Sequence, residues 1–264
     1  MIPVSMNGDG PSSKQGARLL QSPSLKIQVL EELGADWLLT PPFSDIRGLT
    51  PEAFAIDVLY WGLHAKVVCC GYDYRFGKGA CAGADELSAL LAPLGVEVRQ
   101  LGAVLDDGAP ISSTRIRASL EAGDAETAAR LLGRPYSIDF PVTHGKGLGN
   151  RLFGFPTANQ VIEPAYLAPR FGVYATRVQI DGVCHSAVTN VGVKPTVGSD
   201  CVSAESFIEN WSGDLYGRRI ETQFLSFLRP EKRFASVELL REAICADAAH
   251  AREISARQTE DSAL

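Results

Sequence analysis

The sequence predicts two domains of different class: an α/β half followed by a mainly antiparallel β half that ends in a helix. Three observations carry this prediction. The chain has 264 residues, more than the roughly 150 of an average domain. Helix-like and strand-like segments alternate up to Arg134-Pro135, as they do in parallel α/β units. Beyond that point strand-like runs follow one another with little helix between them, which implies an antiparallel sheet closed as a small barrel. The expected domains are therefore 1–135 and 136–264.

The elements follow in order. Leu25, Ile27, Val29, Leu30 and Leu33 favour a helix ending at Gly34, and Asp36 to Leu39 reads as a short strand. Thr50-Pro51-Glu52 combines an N-cap, a proline at the first helical position and a first-turn acid, opening a helix through Leu63. Lys66 to Cys70 is a continuous apolar run of the buried parallel kind, with Cys69 and Cys70 as strand core. A helix from Asp85 to Leu94 precedes a strand over Val96 to Leu101. Ser113 to Ala122, stopped by Gly123, and Ala125 to Leu132, capped by Asp124 and stopped by Gly133, close the first half as helices.

In the second half Ile138 to Thr143, Gly172 to Ile180, Val183 to Asn190, Ala204 to Trp211 and Ile220 to Phe227 read as strands. Asp181-Gly182 separates two of them and is a type I′ hairpin signal. Ser236 caps a final helix whose apolar stripe carries Leu239, Leu240, Ala243 and Ile244, with a frayed tail beyond Ser255.

Composition narrows the class of function. A net charge of −6 argues against a broad basic face for nucleic acid. The six cysteines show no CxxC pair and no His-linked metal spacing, which suggests a reduced, cytoplasmic protein. No apolar stretch approaches the roughly 20 residues of a bilayer span, and Met1 to Gln21 lacks the charged and apolar regions of a signal peptide.

The chemistry concentrates between His144 and Asn159. Gly145, Lys146, Gly147, Gly149 and Gly154 leave backbone N–H groups open to an anion, and successive N–H groups form a nest for phosphate. Phe155-Pro156 leads into Thr157 and Asn159. In an extended segment these two point to one side and present a hydroxyl and an amide oxygen to one cation. Mg²⁺ takes oxygen ligands and keeps waters and substrate phosphates in its shell, so two neutral protein oxygens with ATP suffice. Phosphoryl transfer then needs a group to accept the proton of the attacking hydroxyl. Glu205, Glu209 and Asp214 are candidates that spacing alone does not separate.

Four ordered segments are more specific. They are Gly154 to Asn159; Asn190-Val191-Gly192-Val193-Lys194-Pro195-Thr196; the run from Glu205-Ser206-Phe207 through Asp214-Leu215-Tyr216-Gly217; and Leu228-Arg229-Pro230-Glu231-Lys232-Arg233-Phe234. Together they resemble the riboflavin kinase module, over most of Tyr136 to His250. The resemblance implies a six-stranded antiparallel barrel that transfers the γ-phosphate of ATP to the 5′-hydroxyl of riboflavin, giving FMN. It implies Glu205 as catalytic base, Thr157 and Asn159 as magnesium and nucleotide ligands, Gly145 to Gly154 as a flap over the phosphates, and Arg229 on the flavin side. Asp214 to Gly217 reads as a structural turn. Two departures from the family pattern stand out: one additional residue between Gly149 and Gly154, with Asn150 where Arg is common, and Glu209 at a position expected to be apolar.

In the first half, Gly71-Tyr72-Asp73-Tyr74-Arg75-Phe76-Gly77 and Ile111-Ser112-Ser113-Thr114-Arg115-Ile116-Arg117 resemble two motifs of the FMN adenylyltransferase module of bacterial bifunctional FAD synthetases. Hydroxyls and arginines at a helix N-terminus suit the phosphates of ATP. The resemblance implies a Rossmann-like nucleotidyltransferase domain with Asp73, Arg75, Phe76, Ser112, Ser113, Thr114, Arg115 and Arg117 as its residual nucleotide site. The family's opening strand, its Gly/Phe/Asp/Gly loop and its His-x-Gly-His pair have no counterpart here, so this domain is expected to be incomplete, lacking the first strand and helix. A downstream recorded start, a degenerate scaffold and a strand supplied by a partner chain each account for that.

The leading expectation is an ATP- and Mg²⁺-dependent riboflavin kinase. The alternatives are a full bifunctional enzyme that also makes FAD, and a flavin-binding regulator without turnover.

Overall fold

The computed structural model describes residues 17–144, 157–196 and 199–261. The chain divides into two compact units, the first holding Val29–Ile111 and the second Arg18–Gln28 with the chain from Ser112 onward. The helices after Ile111 thus group with the β half.

In order, the first part of the chain forms α1 (Pro23–Glu32), α2 (Phe43–Ile46), α3 (Pro51–Ala53), β1 (Val67–Gly71), α4 (Ala84–Leu91), β2 (Glu97–Leu101) and a small hairpin, β3 (Leu105–Asp106) with β4 (Ala109–Pro110). Thr50 caps α3, its hydroxyl accepting from the Ala53 N–H at 3.2 Å. The helix then continues in wide turns over Phe54–Gly62, so it reaches the length expected with i→i+5 geometry in its second part. Asp36 to Leu39 forms no strand; Leu39 makes only an isolated bridge. Pro41 and Pro42 follow at once, and proline removes a ladder donor and restricts the residue before it.

β1 and β2 pair in parallel, Val67 opposite Glu97 through Gly71 opposite Leu101. One face packs: Val68 and Val98 sit against a cluster of Phe54, Leu59, Phe76, Leu87, Leu91 and Val96. The other face is open, with Val67, Cys69 and Leu101 exposed. The expectation of a strand buried on both sides therefore fails, and of the two cysteines only Cys70 is core. A two-stranded sheet has one covered face when helices pack on one side only.

The second unit adds α5 (Ser113–Ala122) and α6 (Ala125–Leu132), whose ends match the expectation because their caps are local. Ser112 and Asp124 accept from the N–H groups of Arg115 and Thr127 at 3.3 and 2.9 Å. The strands are β5 (Tyr136–Ile138), β6 (Val142–Thr143), β7 (Thr157–Ile162), β8 (Gly172–Ile180), β9 (Val183–Thr196), β10 (Ser199–Ile208) and β11 (Glu221–Arg229), followed by α7 (Val237–Asp261). They form one curled antiparallel sheet in the order β5-β11-β8-β9-β10-β7-β6. Asp181 and Gly182 both have positive φ, 50° and 79°, as the predicted type I′ turn between β8 and β9 requires.

The sheet has seven strands among the described residues rather than six. The run expected from Ile138 to Thr143 breaks at Asp139–Pro141, where Pro141 has no N–H to give, and its two halves pair with different partners, β11 and β7. The curl brings β6 back to the loop before β11: the Val142 N–H donates to the Arg218 carbonyl and the Gly217 N–H to that of Val142, both at 2.9 Å. Gln160 fixes the curl from inside. Its amide donates to the carbonyls of Phe140 and Ile220, both at 2.8 Å, and accepts from Thr222 Oγ1 at 2.7 Å. A fully buried amide whose partners are all present orders the strands it joins.

Outside the curl, α7 covers β8, β9 and β11. Its inward stripe runs through Leu240, Ile244, Ala248, Ala251 and Ile254, with Leu239 off the face at 49% exposure. The helix also runs to Asp261, past the predicted fraying point.

Candidate active site

The predicted phosphate cradle, Gly145, Lys146, Gly147, Gly149, Gly154, Phe155 and Pro156, lies outside the described residues. Thr157 and Asn159, which follow it, open β7. The register sets what they meet: on β10, Glu205 stands opposite Asn159 on one side and Asn190 on the other, and Phe207 stands opposite Thr157. Directly opposed and alternate residues share a face. Thr157, Asn159, Asn190 and Glu205 are therefore gathered on the face that looks away from the interior amide of Gln160.

Both oxygens of Glu205 are held. Oε1 accepts from Thr157 Oγ1 at 3.1 Å, and Oε2 lies 2.7 Å from the Lys194 ammonium. The same ammonium donates to Asn159 Oδ1. Thr157 and Asn159 do share one face of β7, but only Asn159 meets the Lys194 ammonium, while Thr157 bonds to Glu205. In the sequence Lys194 stands out only as part of a motif. Its spacing from Glu205 hides a contact that exists only because β9 and β10 pair.

Thr157, Asn190 and Glu205 border a cavity of about 290 Å³. Its polar lining includes Thr157, Asn190, Glu205, Arg229 and Glu231, and its apolar lining Val173, Val188, Phe207, Phe234, Leu240 and Ile244. Arg229 reaches the cavity but spends its guanidinium on Asp247 of α7: Nη2 is 2.7 Å from Oδ2, and Nε is 3.1 and 3.2 Å from the two oxygens. The guanidinium also lies over the Phe234 ring at 5.5 Å. Asp247, missed in the sequence, falls one turn after Ala243 and Ile244 on the inward stripe, where an acid is conspicuous. Gly172 opens the neighbouring strand β8. A Cβ there would come within 2.5 Å of Phe227 and 2.7 Å of the Arg229 carbonyl, so only glycine allows β8 and β11 to approach.

The other two candidate acids are occupied elsewhere. Asp214 accepts from the Tyr216 N–H at 2.9 Å, a local turn bond as expected. Glu209, at a position expected to be apolar, is nearly buried and pairs with Arg252 of α7 at 3.3 Å, so the departure serves helix docking.

In the first unit Phe76 is 6% exposed and stacks between Phe54 and Tyr74. Arg75 Nε donates to the Ala80 carbonyl at 3.2 Å, and Asp73 is exposed. In the second unit Ser112 is the α5 N-cap, Ser113 and Thr114 are exposed in its first turn, Arg115 is half-buried, and Arg117 Nε donates to the Arg18 carbonyl at 2.9 Å.

Two families match the chain. A family described as riboflavin kinase matches residues 132–255, and one described as FAD synthetase matches residues 10–115. A bifunctional riboflavin kinase/FMN adenylyltransferase from Pseudomonas fluorescens is 39% identical over 225 residues, 84% of this chain and 72% of that protein. The chain belongs to the bifunctional riboflavin kinase/FMN adenylyltransferase family. Another member, from Escherichia coli strain K12, is 34% identical over 86% of this chain and 73% of its own length. A crystal structure described as a macrolide-efflux protein from Streptococcus pneumoniae superposes with a TM-score of 0.80 at 28% identity, covering 94% of this chain and 83% of that one. Among the described residues no helix is long and apolar enough to cross a membrane.

Proposed function

We propose that this chain is a riboflavin kinase that moves the γ-phosphoryl group of ATP to the 5′-hydroxyl of riboflavin, with FMN and ADP as products. The observation that carries the reading is Glu205, a carboxylate with both oxygens held by Thr157 and Lys194 at the edge of a cavity with apolar walls. Membership of the family supports the substrate pair.

Glu205 is the general base. It accepts the hydroxyl proton as the ribityl oxygen bonds to the γ-phosphorus, while the bond from that phosphorus to the β-phosphate oxygen breaks and ADP leaves with the electron pair. Val173, Val188, Phe207 and Ile244 supply apolar lining suited to a flavin ring. Arg229, fixed by Asp247, edges that surface with a positive charge. The glycines from Gly145 to Gly154 are assigned to the nucleotide phosphates on the resemblance alone.

The residues also suit a magnesium ion. Thr157, Asn159 and Glu205 are hard oxygen donors; Asn159 and Glu205 already meet one cation, the Lys194 ammonium, and Thr157 bonds to the other oxygen of Glu205. Bound there with ATP, magnesium supplies neutralisation of the charge on the β- and γ-phosphates. In this reading 136–264 is the kinase domain, its curled sheet the kinase barrel, and 1–135 a Rossmann-like nucleotidyltransferase domain. A cytoplasmic setting suits both the ATP requirement and thiols that form no disulfide among the described residues.

The FAD synthetase match favours a second reading, in which the same chain goes on to adenylylate FMN. Asp73, Arg75, Phe76, Ser112, Ser113, Thr114, Arg115 and Arg117 are assigned to that step. Incubating the purified chain with riboflavin, ATP and Mg²⁺ and separating the flavins tests both. FMN alone supports the first reading and FAD the second; tight flavin binding without either product would remove both and leave a regulator.

A further inference from the structure

Lys194 touches both groups that the proposed reaction needs at one point. Its backbone stands opposite Cys201 on β10, whereas Glu205 stands opposite Asn190 on β9. The side chain therefore runs back along the strand pair to bring its ammonium 2.7 Å from Glu205 Oε2 and into contact with Asn159 Oδ1. Asn159 is 4% exposed, so bulk water has little access to that oxygen. The other Glu205 oxygen is taken by Thr157. One tethered monovalent cation thus fills the point where a carboxylate, an amide oxygen and, through the carboxylate, a hydroxyl converge.

A divalent ion prefers the same hard oxygens. Two cations do not share them, because like charges a few ångströms apart in a half-buried site repel strongly. Lysine is the residue suited to yield. Its charge is compact, its three donors rotate, and its four-carbon stem swings, where an arginine fork would be fixed.

We propose that Lys194 is a positioning residue that holds the place of the divalent cation in the nucleotide-free protein. It keeps Glu205 and Asn159 in working geometry and bars free metal from them. It then gives up the position to metal that arrives with nucleotide, whose phosphate oxygens receive the ammonium. This rests on the assignment of Thr157 and Asn159 to the magnesium side of the site. Its consequence is that metal binds the free protein weakly and binds together with nucleotide.

The test uses no flavin and no ATP. Mn²⁺ is titrated into the full chain, and the free aquo ion is followed by electron paramagnetic resonance. Lys194→Met is expected to bind Mn²⁺ at least about tenfold more tightly than the unmodified protein. Lys194→Arg, which keeps the charge, is expected to bind as weakly as the unmodified protein. Adding Glu205→Gln to Lys194→Met removes the gain. Should circular dichroism show Lys194→Met unfolded, Lys194→Gln makes the same comparison. The proposal is overturned if the neutral variant binds no more tightly, or if the unmodified protein holds Mn²⁺ tightly at a site that Asn159→Leu abolishes. Because turnover is not read, a chain that makes no FMN yet shows the gain keeps the placeholder and loses the kinase assignment. FMN formation without the gain removes the placeholder alone.

Discussion

The two units treat their motif residues in opposite ways. In the second, Thr157, Asn159, Lys194 and Glu205 come from three neighbouring strands and turn their polar atoms onto one another at the edge of a cavity. In the first, Phe76 is core and Arg75 is spent on the carbonyl of Ala80. The difference is one of support. A curled sheet of seven strands fixes register on both sides of Glu205, so distant residues meet with little freedom left. Among the described residues of the first unit, the parallel pair β1–β2 leaves one face exposed and fixes less, and its motif residues serve the local fold. A family motif is thus part chemistry and part scaffold, and only its contacts tell which.

Four substitutions sharpen or break this contrast. The largest effect belongs to Glu205→Gln, expected to slow FMN formation by about 10²- to 10⁴-fold. Riboflavin affinity, read by flavin fluorescence, should stay within a few-fold; near-normal turnover would take Glu205 out of the base role. Next is Phe76→Ala. As a core residue it should cost about 3–5 kcal/mol in urea unfolding. A cost under about 1 kcal/mol would mean that the first unit does not depend on its packing.

Asp247→Leu leaves the half-buried Arg229 guanidinium unpaired and should cost about 2 kcal/mol after allowance for its partial exposure. The double variant with Arg229→Met should recover much of that loss. If the two costs simply add, the pair is not what joins α7 to β11.

The smallest effect is a pH dependence. Burial pushes the Tyr74 hydroxyl up to about 12, with the nearby Cys70 adding to the shift, against an ordinary value of about 10. Its folded-state pKa is raised, so the stability it contributes is whole below about pH 10 and is lost as the pH climbs through about 12. The unfolded chain sheds the proton first. Tyr74→Phe should flatten the fall of the urea midpoint across that window, and an unchanged slope would show that Tyr74 carries none of it.

Much of the fold was legible where its cause was local. The caps at Ser112 and Asp124 set α5 and α6, and Asp181-Gly182 set the turn between β8 and β9. Legibility fell where distant partners decide. β9 runs on to Thr196 because β10 pairs with it, β7 escaped notice as a strand, and the run at Ile138 broke at Pro141 because its halves serve two strands. In the site, Glu205, Thr157 and Asn159 came from the resemblance, and their convergence came from the register. Lys194 and Asp247 were missed because their partners lie across strands or on another element.

The central claim is tested most directly by following the γ-phosphoryl group itself. The purified chain is incubated with riboflavin, Mg²⁺ and ATP labelled at the γ-phosphorus, and the flavins are separated and counted. Labelled FMN is expected from the unmodified chain, and at most about a hundredth of that rate from Glu205→Gln. No labelled flavin from the unmodified chain, or labelled FMN at equal rates from both, would contradict it.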